Sequence, residues 1–117
     1  MNYKQLIISA LTPLGYPVMF GNYTGNQKLY ITFFRYNRQG ELFAENTEIT
    51  TEHFIQVDLW KLQSSTDTMD LSDLEVQVET ALTAAGFQGF TAQDLYEPDI
   101  KTNHIAIRTN YYVDKEM

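Results

Sequence analysis

The stretch Thr51–Trp60 constrains this chain more than any other. It reads Thr-Glu-His-Phe-Ile-Gln-Val-Asp-Leu-Trp, so that Ile55, Val57 and Leu59 alternate with Phe54, Gln56, Asp58 and Trp60. A period of two is the pattern of an extended strand with one face buried. A polar turn follows at Ser64-Ser65-Thr66-Asp67, and then Leu71, Leu74, Val78, Ala81, Leu82 and Ala85 recur at helical spacing. The spacing predicts an amphipathic helix beginning at Asp70, or at Ser72 with Glu75 completing a capping box, and ending at Gly86. A strand and a helix that each carry one apolar face bury them against one another.

The other segments supply partners for this unit. Leu6, Ile7, Ala10, Leu11 and Leu14 give a first helix over Tyr3–Leu14, which Pro13 and Gly15 terminate. Tyr16–Phe20 reads as a short extended piece, and Gly21–Asn26 as a turn-rich loop. Lys28–Tyr36 reads as a strand with Leu29, Ile31 and Phe33 on one face and Tyr30, Thr32 and Phe34 on the other. Asn37-Arg38-Gln39-Gly40 is expected to form a hairpin turn, a weaker strand to follow at Glu41–Ala44, and the acidic run Glu45–Glu52 to form an exposed loop. After the second helix, Phe87–Glu97 reads as extended, anchored by Phe87, Phe90 and Leu95. A last strand turns Ile105, Ile107, Tyr111 and Val113 inward and His104, Arg108, Asn110 and Tyr112 outward. The expected architecture is a single α+β domain spanning residues 1–117, an antiparallel β-sheet with two helices packed on one face.

Composition limits the chemistry. A net charge of −7 with no basic stripe argues against direct duplex binding, because nucleic-acid binders displace phosphate counterions with Lys and Arg. Without cysteine there is neither a disulfide framework nor a thiolate, which suits a reducing compartment. No apolar run resembles a secretory signal or approaches the roughly 20 residues of a membrane-spanning helix. No Lys-Ser/Thr follows the glycines of the Gly21–Asn26 loop, as a phosphate-binding loop requires, and no Gly-x-Ser-x-Gly elbow occurs. His53 and His104 lie in no metal-ligand spacing and read as surface histidines. Asp58, in mid-strand, must be solvated or paired, and Arg35 or Arg108 can reach it across a sheet. No catalytic, metal or cofactor residue is assigned.

What remains conspicuous is aromatic area. With eight Tyr and seven Phe, aromatics fall on the strand faces turned away from the helices. Phe54 and Trp60 on one strand and Phe34 on another are too much aromatic surface for a wet face. Such a patch either contacts another subunit or lies beneath another segment of the same chain. The candidate contact residues are Phe34, Arg38, Phe54, Asp58 and Trp60.

The order of elements resembles the small tail-completion proteins of long-tailed bacteriophages, the tail-terminator and head–tail joining group. The resemblance rests on Phe54-Ile55-Gln56-Val57-Asp58-Leu59-Trp60, the turn Ser64–Asp67, the helix Leu71–Ala85, the acidic segment Asp94–Asp99 and the last strand Ile105–Val113. It is a pattern over most of the chain, without an invariant motif. It implies a non-enzymatic structural protein that forms a homo-oligomeric ring, commonly of six subunits, at the head-proximal end of the tail. The implied partners are the tail tube protein and the head connector proteins, with DNA passing through the lumen unbound. Assembly would take place in the host cytoplasm, with no cofactor and no membrane. Two other readings stand beside it: a small acidic protein-binding module of inhibitor or immunity type, and a small hydrolase or isomerase using Asp58 with a histidine.

Overall fold

The computed structural model describes residues 2–42 and 49–114. In chain order these form α1 (Tyr3–Leu11), a 3-10 turn (Thr12–Leu14), β1 (Val18–Phe20), β2 (Leu29–Leu42), β3 (Ile49–Leu62), α2 (Leu71–Ala84), β4 (Gln88–Glu97) and β5 (Thr102–Asp114). The five strands make one sheet in the order β1-β2-β3-β5-β4. Every neighbouring pair is antiparallel except β1 with β2, which is parallel. The sheet is therefore mixed, and the expectation of a purely antiparallel one is corrected. The segment 16–20 enters beside β2 through the turn that ends α1, and it runs in the same direction as β2 for three residues.

Local chemistry sets the helix limits. Asn2 accepts from the Gln5 backbone N–H while Gln5 reaches back to the Asn2 N–H, a reciprocal cap that holds the first turn of α1. Pro13 is tolerated in the first turn of the 3-10 segment, so the α-helix gives way there and not beyond Leu14. In α2 the cap is Asp70, whose side chain accepts from Ser72; the alternative start at Ser72 does not form. At its other end Phe87 N–H donates to Leu82 C=O and Gly86 N–H to Thr83 C=O, with Gly86 at φ +103°. That bond pair satisfies two terminal carbonyls and needs a left-handed residue, which glycine adopts without strain.

The core lies between the helices and one sheet face. Ile7 and Leu11 of α1 and Leu71, Leu74, Val78 and Leu82 of α2 join the same cluster as Leu29, Ile31, Phe33, Ile55, Val57, Leu59, Ile105 and Ile107. Register explains this, because Phe33, Val57 and Ile107 stand in one row across the sheet and Ile31, Leu59 and Ile105 in another. Two irregularities adjust the faces. On β4 a bulge lies between Gln88 and Thr91, with Gly89 at φ +68°. It lets Phe87 and Phe90, three residues apart, both pack on the core. On β2 the extra residue is Tyr36, so that Arg35 opposes Ile55 and Arg38 opposes His53 on one face.

The turn expected at Asn37–Gly40 is not a turn. Those residues continue β2, paired with Phe54 to Thr51 of β3. The bulge at Tyr36 absorbs the local irregularity, and the β3 partner carries the ladder onward. Of the expected loop Glu45–Glu52, residues 49–52 belong to β3; the remainder, with Phe43 and Ala44 of the expected weak strand, lies outside the described residues. Leu95 also departs from its expected role, since it is 37% exposed on the edge strand.

Leu82 is fully buried, so Leu82→Ala is expected to destabilise the fold by about 3 kcal/mol. Gly86→Ala is expected to cost about 1–2 kcal/mol, through the left-handed backbone alone. Urea unfolding followed by circular dichroism checks both, and equal costs would contradict the separate mechanisms.

Candidate subunit-contact surface

The face of the sheet turned away from the helices carries the alternate set of side chains. Gln56, Asp58 and Trp60 of β3 stand opposite Phe34, Thr32 and Tyr30 of β2 and Arg108, Ala106 and His104 of β5. Four rings form a ladder across this face. Tyr23 stacks on Tyr30 with centroids 4.3 Å apart, Tyr30 on Trp60 at 6.2 Å, and Trp60 on His104 at 3.8 Å. Tyr23 comes from the loop after β1, so a segment of the same chain covers one end of the ladder. The Trp60 indole N–H donates to Thr32 Oγ1 at 2.9 Å, which satisfies its one donor.

His104 links three strands. Its Nε2 lies 2.7 Å from Asp58 Oδ1 on β3, and its Nδ1 lies 3.3 Å from Glu97 Oε1 on β4. A ring with a carboxylate oxygen at each nitrogen donates through both only as the imidazolium. Burial pushes the His104 pKa down, but the Asp58 carboxylate and then Glu97 outweigh it, and the net shift is upward. The flat face of Trp60 against the ring favours the same charged form. Asp58 is only 4% exposed, and its Oδ1 also accepts from Gln56 Nε2 at 2.8 Å.

The expected arginine partners of Asp58 are thereby replaced by a histidine. Arg35 lies on the other face, where Nη1 donates to His53 Nδ1 at 3.1 Å and the guanidinium stands 4.9 Å from the Tyr3 ring. Arg108 donates to Gln56 and lies over the Tyr36 ring. The reading of both histidines as surface residues is likewise overturned, since His53 is 2% and His104 7% exposed. Each buries its ring against aromatics, His53 against Tyr3 and Tyr111, and His104 against Trp60.

Of the five candidate contact residues, Phe34, Phe54, Asp58 and Trp60 share the uncovered face. Arg38 is exposed but stands opposite His53, on the helix side. Phe34, Phe54 and Trp60 are half-buried by their neighbours, Phe54 against Tyr36. Asp58 is buried within the sheet and offers no exposed contact. Tyr23, Tyr30 and Tyr36, which sequence reasoning left out of the patch, join it; the alternation of Lys28–Tyr36 placed Tyr30 beside Phe34, and only tertiary contact adds Tyr23.

Among the described residues no three His, Asp or Glu side chains are grouped to hold a metal ion. No helix of the described chain is long and apolar enough to cross a membrane. No protein-family model matches the sequence, and no curated protein matches it.

The His104 linkage has a definite sign. A histidine pKa raised in the folded state contributes stability that is fully present below the ordinary histidine value, about 6.5, and is lost as pH rises through the folded value. Urea midpoints are therefore expected to fall as pH rises through that interval. His104→Gln removes this dependence, and an unchanged slope in the variant would contradict it. Asp58→Ala, which leaves the buried His104 ring without its closest hydrogen-bond partner, is expected to cost about 2 kcal/mol.

Proposed function

We propose that this chain is the subunit of a homo-oligomeric ring, of the tail-terminator or head–tail joining kind, that caps a phage tail tube and connects it to the head. The observation that carries this reading is the two-sidedness of the sheet. One face is closed by both helices, while the other bears Tyr30, Phe34, Tyr36, Phe54 and Trp60 with no helix over it among the described residues, and Tyr23 stacks on one end of it. Half-buried aromatics gathered on one face are the usual anchors of a protein interface.

Beyond the body of the sheet, β2 and β3 run on as a paired arm through Leu42 and Ile49. A ring needs heterologous contacts, two different surfaces of each subunit meeting head to tail, and the arm and the aromatic face supply different surfaces. A net charge of −7 suits a lumen through which DNA passes without adhering. The Asp58–His104–Glu97 linkage then serves the sheet that carries the interface, and no catalytic step is assigned to it. The tail tube protein and the head connector are the partners this reading requires.

Light scattering behind a sizing column, from micromolar to millimolar protein, tests it. The expected result is a rise to about six times the protomer mass, in solution or on adding purified tail tubes. Phe34→Gln and Trp60→Ala are each expected to raise the concentration of half-assembly about tenfold or more. Melting curves of both variants separate lost assembly from lost folding, since Trp60→Ala also removes the stack on His104. A monomer at every concentration that also ignores tail tubes would replace this reading by the acidic protein-binding module.

A further inference from the structure

Among the described residues both long edges of the sheet are open. The outer side of β4 has no strand partner among the described residues. Thr91 to Tyr96 are all exposed along it, with no proline to block pairing. On the opposite side β1 covers Ile31–Phe33 of β2, so the outer edge of β2 from Phe34 to Leu42 also has no strand partner among the described residues. An exposed strand edge of this length is a template for another strand unless charge, proline or a covering segment protects it.

We propose that β4 of one protomer pairs antiparallel with the outer edge of β2, Phe34–Leu42, in the next protomer, so that the sheet continues from subunit to subunit. This rests on the ring assignment above and names the contact that closes it. Direction favours it. β2 runs opposite to β3, β3 opposite to β5 and β5 opposite to β4, so β4 runs opposite to β2. A rotation axis along the strands therefore brings the two free edges together antiparallel, the more stable pairing.

Register and charge favour it as well. Within one protomer Ala92–Tyr96 are level with Leu29–Phe33, and β1 already covers Ile31–Phe33 of that stretch. Pairing with the free part requires a stagger of about six residues, roughly 20 Å at about 3.3 Å per residue. Over four strand spacings of about 4.8 Å that is a tilt of about 45°, at the upper end of the range found in closed barrels. With Glu97 set opposite Phe34, the bulge at Tyr36 places Asp94 opposite Arg38, both on the helix side of the sheet.

The two flanks carry opposite charge. Arg35 and Arg38 stand on the β2 edge, while Asp94 shares its flank with Glu75 and Glu79 of α2. The Glu75 pKa is raised by burial first, then by Glu79 and Asp94, so these carboxylates repel one another within the protomer. An arginine from the neighbour relieves that repulsion. Pairing β4 with a second β4 would instead bring two acidic flanks together, and so charge selects the head-to-tail contact.

The absence of native cysteine makes the test clean. Gln39 and Gln93 are exposed, and the proposed register sets them opposite one another on the uncovered face. The double variant Gln39→Cys/Gln93→Cys, treated with a thiol crosslinker reaching about 8 Å, the diagonal spacing of paired strands, is expected to give a ladder of covalent oligomers. Protein is taken at the concentration, or on the tail tubes, where light scattering finds assembly, and melting curves establish that each variant is folded. Each single variant is expected to give none. Arg38→Asp and Asp94→Arg are each expected to weaken assembly about tenfold, and their combination to restore it.

Covalent dimers from Gln93→Cys alone would overturn the proposal in favour of β4 pairing with its own copy. A full-mass ring whose double variant yields no ladder would overturn the edge pairing and leave the ring assignment standing. A chain that stays monomeric with and without tail tubes, and yields no ladder, would overturn both.

Discussion

Burial of one sheet face beneath two helices is the interaction on which the rest of the structure depends. Rows such as Phe33–Val57–Ile107 and Ile31–Leu59–Ile105 bring large side chains together across β2, β3 and β5. Ile7, Leu11, Leu74, Val78 and Leu82 close over them from α1 and α2, all fully buried. Each such side chain contributes roughly 1.5–3 kcal/mol of transfer free energy, while a one-residue slip of any strand would turn its whole apolar set toward water. Register in the body of the sheet is thus dictated by the core. The opposite face then receives whatever residues alternate with the core set.

Those residues are not a solvated leftover. Asp58, almost in the middle of β3, is desolvated by its neighbours and must be compensated. His104 compensates it and reaches Glu97 on the edge strand with its other nitrogen, so one imidazole ring joins β3, β5 and β4. The Trp60 indole covers that ring, Thr32 takes the indole proton, and Tyr30 and Tyr23 extend the stack. A polar linkage buried under aromatics stiffens the uncovered face. A stiff face loses less side-chain freedom on meeting a partner, which suits the assembly role proposed for it.

Bulges decide how far the sheet reaches and what it presents. Tyr36 on β2 turns Arg35 and Arg38 to one side while the ladder to β3 continues. The irregularity at Gly89 on β4 brings both Phe87 and Phe90 to the core. Alternation alone would have separated each of these pairs, because residues three apart on a regular strand face opposite ways. Asn37–Gly40, rich in turn-forming residues, nevertheless continues β2. Local propensity at four residues is weaker than a continuous ladder to a long partner strand.

Sequence alone marked both helices, the inner parts of the long strands and most of the core. Helical spacing marked both helices, with Pro13 and Gly15 ending the first and Asp70 and Gly86 bounding the second, and period-two alternation marked Ile55, Val57, Leu59, Ile105 and Ile107 as buried, because these signals are local and carried by few residues. It also placed Phe34, Phe54 and Trp60 on the face away from the helices. Tertiary structure decided the partners. That His104, forty-six positions from Asp58, supplies its counter-charge while Arg35 turns to His53 on the opposite face depends on strand order β2-β3-β5-β4, which no short-range pattern encodes. The same order made β1 a parallel addition and, among the described residues, left β4 and the outer half of β2 as open edges, since pairing between distant segments is settled only when the whole core closes.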